Sequence, residues 1–469
     1  MRLPIRQVSI ALVPPGQQKS SVIFVDRGGS YAVSTVRWSV ARGFLAQLVG
    51  HGLMVAALVM WGGMFRLDAA DAPEIGGLFR LQDILAGLVG TALVFLFLTK
   101  NRWSSHLVAQ FAIVFIIVVH ATLIGLINGN KLVNIALELR PFLYLIVGIL
   151  TAMMLCRSSI DKMLRLYATL MSIAILTQFV LLNAGGSLLF LTGTHLGNIF
   201  TLGLPIVRPQ AFHLIGAGFI LAVTRPGRSR FRLDTWIMLV ALVITQSKTY
   251  WLMGAFAAIV SILADRALSR ASKLGLFGMG IVCLILLAVL PAPVGDRTHS
   301  LLQLVYKKFA LVFQDENIGY GVIGVRMKEA SLLLAPLDEP ATLILGRGLG
   351  YVYRDPGLFF YRENPRDLER LAMFGHNYYL WLLLKAGLVG VLLFACAIVP
   401  VLLSLGSKDS DRRRFAAVCL AVLIGAVTLG SMEDPTGAYL LGVLMACAGR
   451  PERRENKHNR IIQKTTAIP

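Results

Sequence analysis

Long apolar runs recur along this chain, and short polar segments rich in Arg and Lys separate them. Each run is continuously apolar rather than alternating, which predicts membrane-spanning helices and not the strands of a barrel. We predict an all-α integral membrane protein with about twelve spans, of which the seventh and eighth could instead form one hairpin that does not fully cross. The predicted spans are 44–65, 81–99, 107–127, 141–155, 164–182, 210–224, 235–245, 249–264, 274–290, 377–403, 415–430 and 439–448.

The polar segments divide the chain into five parts. We predict basic tails over 1–43 and 450–469, spans one to nine over 44–290, and spans ten to twelve over 376–449. Residues 291–375 form one large polar loop between the ninth and tenth spans. Apolar positions at helical spacing within this loop predict a helix over 318–336, with Pro336 as its stop.

The charge distribution predicts how the chain is oriented. The 469 residues are 15% charged, whereas soluble domains carry about 25% charged residues. With the N-terminus inside, every short cytoplasmic segment is basic, as the positive-inside rule requires. We therefore predict cytoplasmic termini and a large loop outside. The net charge of +20 is then explained by basic cytoplasmic loops that face anionic membrane lipids, and not by binding of a nucleic acid.

A His-Asn pair, His376 and Asn377, opens the tenth span directly after the polar loop. An imidazole at the mouth of a membrane helix is costly to bury unpaired, so His376 is a candidate functional group. The alternative is an interfacial anchor, because Tyr378, Tyr379 and Trp381 follow and aromatic side chains collect at membrane surfaces.

A glycine-rich stretch, Gly346-Arg347-Gly348-Leu349-Gly350, lies upstream of this pair in the polar loop. It resembles a phosphate-binding loop, but no Rossmann strand pattern precedes it and no Walker lysine accompanies it, so the nucleotide motif is weak. The stretch also fits a tight, exposed backbone turn to which Arg347 adds a charge.

Several basic residues fall on the predicted outer side, where the positive-inside rule does not explain them. They are Arg140, Arg208, Lys248, Arg326 and Arg347. Cations at the outer mouth of a helix bundle could converge on a phosphate or diphosphate, which suits arginine's planar fork. The alternative is that each one reaches water at the membrane surface or pairs with a neighbouring acid such as Glu138 or Glu329.

Metal chemistry finds little support in the residues. The histidines show no metal-ligand spacing, and the five cysteines form no CxxC pair or disulfide framework. Asp409-Ser410-Asp411 has the spacing of a metal-nucleotide site, but it adjoins three arginines on a short segment and predicts a solvated turn. We predict no metal and no cofactor.

Four local patterns then occur in one order. They are Gln246-Ser247-Lys248-Thr249 before an apolar helix, a loop helix from Arg326 to Pro340, the turn Leu345 to Gly350, and His376-Asn377 opening a helix that reaches Gly387-Leu388-Val389-Gly390. Over about residues 203–390 the chain resembles the O-antigen ligase and Wzy-type polymerase superfamily of bacterial envelope glycosyltransferases. Two departures are Lys248, where that family commonly has arginine, and Lys385, where it often has an acidic residue.

The resemblance implies a GT-C-like helical enzyme of the bacterial inner membrane. Such enzymes transfer a glycan, without a metal, from a polyprenyl-diphosphate carrier to a glycan or lipid A-core acceptor on the periplasmic side. We expect His376 and Arg326 to be catalytic. Substrate contacts are expected from Arg140, Arg208, Lys248, Arg347, Asn377 and Tyr378. Ligation and polymerisation both stay open, and the alternative class is a transporter or flippase of lipid-linked glycans.

Overall fold

The computed structural model describes residues 105–183, 212–225, 232–244, 322–354, 377–426 and 435–450, with three short strand pairs and isolated residues between 51 and 285. Ten helices have bounds within these ranges. They are α1 Ser105–Ile127, α2 Leu132–Met154, α3 Arg157–Asn183, α4 Phe212–Val223, α5 Leu233–Ile244, α6 Val322–Leu334, α7 Pro340–Leu345, α8 Tyr378–Ser404, α9 Ser410–Gly425 and α10 Pro435–Gly449. A 3-10 turn, Ala335–Leu337, joins α6 to α7.

Four of these helices, α1, α2, α3 and α8, are long and apolar enough to cross a membrane. Helix α1, for example, has 23 residues, about 35 Å at 1.5 Å per residue. Its outward side carries exposed apolar residues such as Phe115, Ile116 and Leu123, which are costly in water and favourable in lipid. The prediction of a helical, membrane-embedded chain is confirmed to this extent. The number of twelve spans and the sidedness stay predictions.

Helix bounds follow the apolar runs most closely where those runs are long. The predicted spans 107–127 and 377–403 agree with α1 and α8 within two residues. Helix α2 begins nine residues before the predicted start at Pro141, because Glu138 is buried inside it instead of ending it. The predicted spans 44–65, 81–99, 249–264 and 274–290 lie outside the continuously described ranges, as do both tails except for Arg450.

Backbone-to-backbone contact holds α2 against α10. A Cβ at Gly148 would lie 2.2 Å from the Tyr439 carbonyl oxygen, and one at Gly442 would lie 2.1 Å from the Leu145 carbonyl oxygen. Small residues allow membrane helices this close an approach, since packing and not hydrophobicity drives their association in lipid. The two helices form the centre of the described bundle.

One end of the bundle carries a network of ion pairs, here called the charged end. The pairs are Arg165–Asp161 (2.8 Å), Arg225–Asp234 (2.6 Å), Arg414–Asp161 (2.9 Å) and Arg157–Asp409 (2.5 Å). They join the turns after α2, α4 and α8, which the charge distribution predicts to lie on one side of the membrane. Asp409 also caps α9 and its side chain is 14% exposed, whereas that of Asp411 is 49% exposed and Ser410 is exposed. The predicted turn is therefore solvated except at the Asp409 carboxylate.

Three short antiparallel strand pairs complete the described structure, and none was predicted. They are Thr194–His195 with Ile206–Val207, Pro291–Val294 with Arg297–Ser300, and Tyr353–Arg354 with Leu371–Ala372. The last two pairs lie in the predicted polar loop. Its predicted helix over 318–336 corresponds to α6 followed by the 3-10 turn.

Candidate functional site: the glycine-loop end of the bundle

Helix α8 is broken at Gly387, and a loop from elsewhere in the chain fills the break. Gly387 has φ +64° and ψ −169° inside an otherwise helical run. The carbonyl oxygens of Leu384 and Lys385, just before the break, accept hydrogen bonds from the amides of Arg347 (2.7 Å) and Gly348 (3.0 Å). A broken membrane helix persists only where other protein groups satisfy its backbone in this way.

His120 of α1 contributes to the same break. Its Nε2 lies 3.2 Å from the Ala386 carbonyl oxygen and 3.2 Å from the Leu345 carbonyl oxygen. Both neighbours are acceptors, so Nε2 carries the proton and donates it. Sequence reasoning missed this role of His120, because a histidine inside an apolar run shows no partner by spacing alone.

The inserted segment, residues 346–350, is here called the glycine loop. Gly346, Gly348 and Gly350 have φ of +83°, +80° and +81°, a region where glycine is favoured because it lacks a Cβ. A Cβ at Gly348 would lie 2.0 Å from the Gly125 amide nitrogen of α1. The loop is a tight turn as predicted, but its three glycines and Leu349 are buried. The expectation of an exposed turn is therefore wrong.

Three asparagines around the turn between α1 and α2 hold the carbonyl side of the glycine loop. Their amides donate from Asn128 to Arg347 O (3.1 Å), from Asn130 to Arg347 O (3.0 Å) and Leu349 O (2.8 Å), and from Asn134 to Gly350 O (3.5 Å). Sequence reasoning missed this set. Its only signal was an Asn-Gly-Asn turn directly after an apolar run.

The backbone amides of the glycine loop are also hydrogen-bonded, and this tests whether the loop can bind a phosphate. The Leu349 amide donates to the Ala121 carbonyl oxygen (2.8 Å), and the Gly350 amide donates to Glu138 Oε2 (2.5 Å). Together with the amides of Arg347 and Gly348, every N–H from 347 to 350 has a protein acceptor. A phosphate cradle needs free amides, so the nucleotide interpretation of this motif is wrong.

A buried ion pair lies beneath the loop. Lys385 Nζ is 2.5 Å from Glu138 Oε1, and both side chains are fully buried. Lys385 also donates to the Tyr351 carbonyl oxygen, next to the Gly350 amide that Glu138 accepts. Removing one partner of such a pair typically costs about 3–5 kcal/mol, because the other charge stays buried and uncompensated. Lys385 thus has a defined carboxylate partner in this chain.

Arg347 folds back onto its own segment. Its Nε donates to the Pro336 carbonyl oxygen (2.7 Å), its guanidinium lies 6.0 Å from the Tyr351 ring centre, and Asp338 is 3.8 Å away. The side chain is 30% exposed, so part of it faces outward. Its predicted contact with substrate stays a prediction.

Asn377 and Tyr378 build the start of α8. Asn377 Oδ1 accepts from the amides of Tyr379 (3.1 Å) and Leu380 (3.1 Å), which is an N-cap. Tyr378 is 2% exposed and its ring lies 5.6 Å from that of Trp381. Both residues have structural contacts here, and their predicted substrate contacts stay predictions.

The other predicted site residues are placed less fully. Arg140 is half-buried in α2, two residues after Glu138. Arg326 lies in α6, and nothing is described of its side chain; His376, Arg208 and Lys248 lie outside the described residues. Helix α6 is held near the break, because Leu333 and Leu337 form a buried cluster with Leu384 of α8.

No protein-family model and no curated protein sequence matches this chain. Within the described residues, no group of three or more His, Cys, Asp and Glu side chains is placed to hold a metal ion. The site therefore rests on its own geometry. That geometry brings the helix of Arg326, the half-buried Arg140 and the start of α8 to one end of the bundle, opposite the charged end.

Proposed function

We propose that this protein transfers a glycan from a polyprenyl-diphosphate carrier to a glycan or glycolipid acceptor at the outer surface of a bacterial inner membrane. The observation that carries the proposal is the seating of the glycine loop in the break of α8. It ties the segment that bears Arg326 to the end of α8 that directly follows His376. The described part of the polar segment, residues 322–354, is thus held at one end of the helix bundle, which suits a site for a membrane-bound substrate.

The proposed chemistry is a substitution at the anomeric carbon. The acceptor hydroxyl attacks that carbon, the bond from carbon to the phosphate oxygen breaks, and the carrier diphosphate leaves. His376 takes the hydroxyl proton as general base. Arg326, with Arg140, Arg208, Lys248 and Arg347 as further candidates, stabilises the charge of the leaving diphosphate.

The test is glycan transfer by the full chain reconstituted in liposomes with a polyprenyl-diphosphate glycan and an acceptor. We expect His376→Ala to lower the transfer rate by about 10²–10⁴, the usual loss for a positioned base. The matched control is His106→Ala, since His106 is exposed and lies at the end of α1 that is opposite the glycine loop. Normal transfer by His376→Ala would overturn the proposal. Carrier translocation without covalent transfer would favour the flippase alternative.

Arg326 is tested by a change that keeps its charge. Arg326→Lys is expected to lose most of the transfer activity, because one ammonium cannot reproduce a two-pronged contact to a diphosphate. Arg232→Lys is the control, since Arg232 is exposed at the charged end. Full activity of the Arg326 variant at normal expression would remove Arg326 from the proposed mechanism.

A further inference from the structure

We propose that Glu138 and Lys385 are positioning residues. Glu138 accepts a hydrogen bond from one backbone amide and Lys385 donates one to a neighbouring carbonyl, so that together they fix the loop backbone in one register and thereby hold α6 at the site. This inference rests on the proposed function only for its effect on transfer. Its structural half, the fixing of the loop, stands apart from any activity. Neither side chain is placed in the proposed catalytic machinery.

The geometry behind this proposal is a pair of adjacent, oppositely polarised backbone contacts. Glu138 Oε2 accepts from the Gly350 amide, while Lys385 Nζ donates to the carbonyl of Tyr351, the next residue. An ion pair alone would need neither contact. Since both side chains are fully buried, each backbone group would lose its partner if the loop shifted by one residue.

The contacts sit directly beside the anchor of α6. Two residues beyond Tyr351, Tyr353 is 5% exposed and packs in the same buried cluster as Leu333 and Leu384. Leu333 belongs to α6, which carries Arg326 seven residues earlier. The register of the loop at Gly350 and Tyr351 therefore sets where α6 rests on α8.

Polarity separates this role from an ordinary ion pair. Exchanging the two residues, Glu138→Lys with Lys385→Glu, preserves one positive and one negative charge at the same positions. It places an ammonium against the Gly350 amide and a carboxylate against the Tyr351 carbonyl, so donor faces donor and acceptor faces acceptor. If the two residues only hold the helices together as an ion pair, the exchanged pair still does so. If they fix the loop through the Gly350 amide and the Tyr351 carbonyl, the exchange breaks both contacts.

The experiment measures distances in the full chain in lipid nanodiscs, with native cysteines replaced by serine. Spin labels replace Met327 of α6 and Leu403 near the end of α8, which are 69% and 72% exposed. Leu403 lies nineteen residues along α8 from Leu384, which packs in the same cluster as Leu333 of α6. At 1.5 Å per helical residue the label at Leu403 is on the order of 30 Å from that contact, a distance that suits pulsed dipolar spectroscopy. A control pair at Leu233 and Leu403 reports whether the bundle itself is intact.

Two double variants are compared with the parent: the charge exchange, and Glu138→Met with Lys385→Met. Replacing a buried ion pair by apolar side chains of similar size is often tolerated, so the second variant keeps the test valid if the exchange misfolds. We expect both to keep the control distance and to broaden the distribution from Met327 to Leu403. We also expect transfer to fall about 100-fold, the scale of loss when reacting groups are misplaced by about 1 Å.

Three results would overturn the inference. The distance distribution from Met327 to Leu403 could stay as narrow as in the parent in the exchanged variant, it could stay so in the apolar variant, or both variants could lose the control distance. The first means an ordinary ion pair, the second means that the loop holds itself, and the third means a general role in bundle stability. A broadened distribution with normal transfer would support the fixing of the loop by Glu138 and Lys385, but it would show that this fixing has no effect on the proposed transfer. Loss of transfer in His376→Ala is judged separately.

Discussion

Gly125→Ala offers the most direct test of how the glycine loop is seated. Gly125 lies in α1 with ordinary helical geometry, so alanine fits the helix itself. Its Cβ would lie 2.3 Å from the Leu349 carbonyl oxygen and 3.1 Å from the Leu349 amide nitrogen. Both are backbone atoms, which cannot rotate away as a flexible side chain could, so the loop must shift.

The size of the effect follows from what the shift breaks. The gain of about 1 kcal/mol in helix propensity is present whether the loop is seated or not, so it cancels for loop opening. Overpacking of this kind costs about 1–3 kcal/mol, and a shift strains the Leu349 and Gly350 hydrogen bonds, each worth about 1 kcal/mol. We expect loop opening to become easier by about 2–4 kcal/mol, or roughly 30- to 1,000-fold.

Hydrogen exchange by mass spectrometry measures this opening. The amides of Arg347, Gly348, Leu349 and Gly350 all have acceptors, so they exchange only when the loop opens. In Gly125→Ala we expect faster exchange in peptides covering the loop and unchanged exchange in α9. The control is Gly406→Ala, whose Cβ would meet its nearest atom at 3.7 Å. Parental protection of the loop in Gly125→Ala would refute this account of the packing.

Three further predictions address the start of α8, the metal and the topology. Asn377→Ala should lose about 1 kcal/mol of stability through its cap while Asn377→Ser keeps it, as thermal unfolding in nanodiscs will show. Transfer lost in the serine variant, which keeps the cap, would indicate a substrate contact. Transfer should survive EDTA, and activity restored only by a divalent ion would contradict a leaving group neutralised by arginine. Reporter fusions near Asp315 and Asp355 should give outside signals and fusions at both termini inside signals, and the reverse result would invert the predicted topology.

The sequence predicted the helices better than the site, for identifiable physical reasons. Long, strongly apolar runs predict the bounds of α1 and α8 within two residues, because in lipid a helix satisfies its own backbone. The burial of Glu138 was not predictable, since its partner Lys385 lies far away in the chain. The glycine loop shows the same limit: its spacing predicts a tight turn, but its burial depends on Gly125 and Gly387, which only the fold brings to it.

The buried pair also constrains how the chain is made. Glu138 enters the bundle with α2, but Lys385 is synthesised about 250 residues later, roughly 12–50 s at 5–20 residues per second. Throughout that interval the carboxyl group of Glu138 lacks the ammonium that neutralises it in the finished protein. A chain stopped before α8 can neither complete this pair nor seat the loop. Completion of the tenth predicted span is therefore the step at which the buried carboxyl group gains its partner and the loop gains its seat.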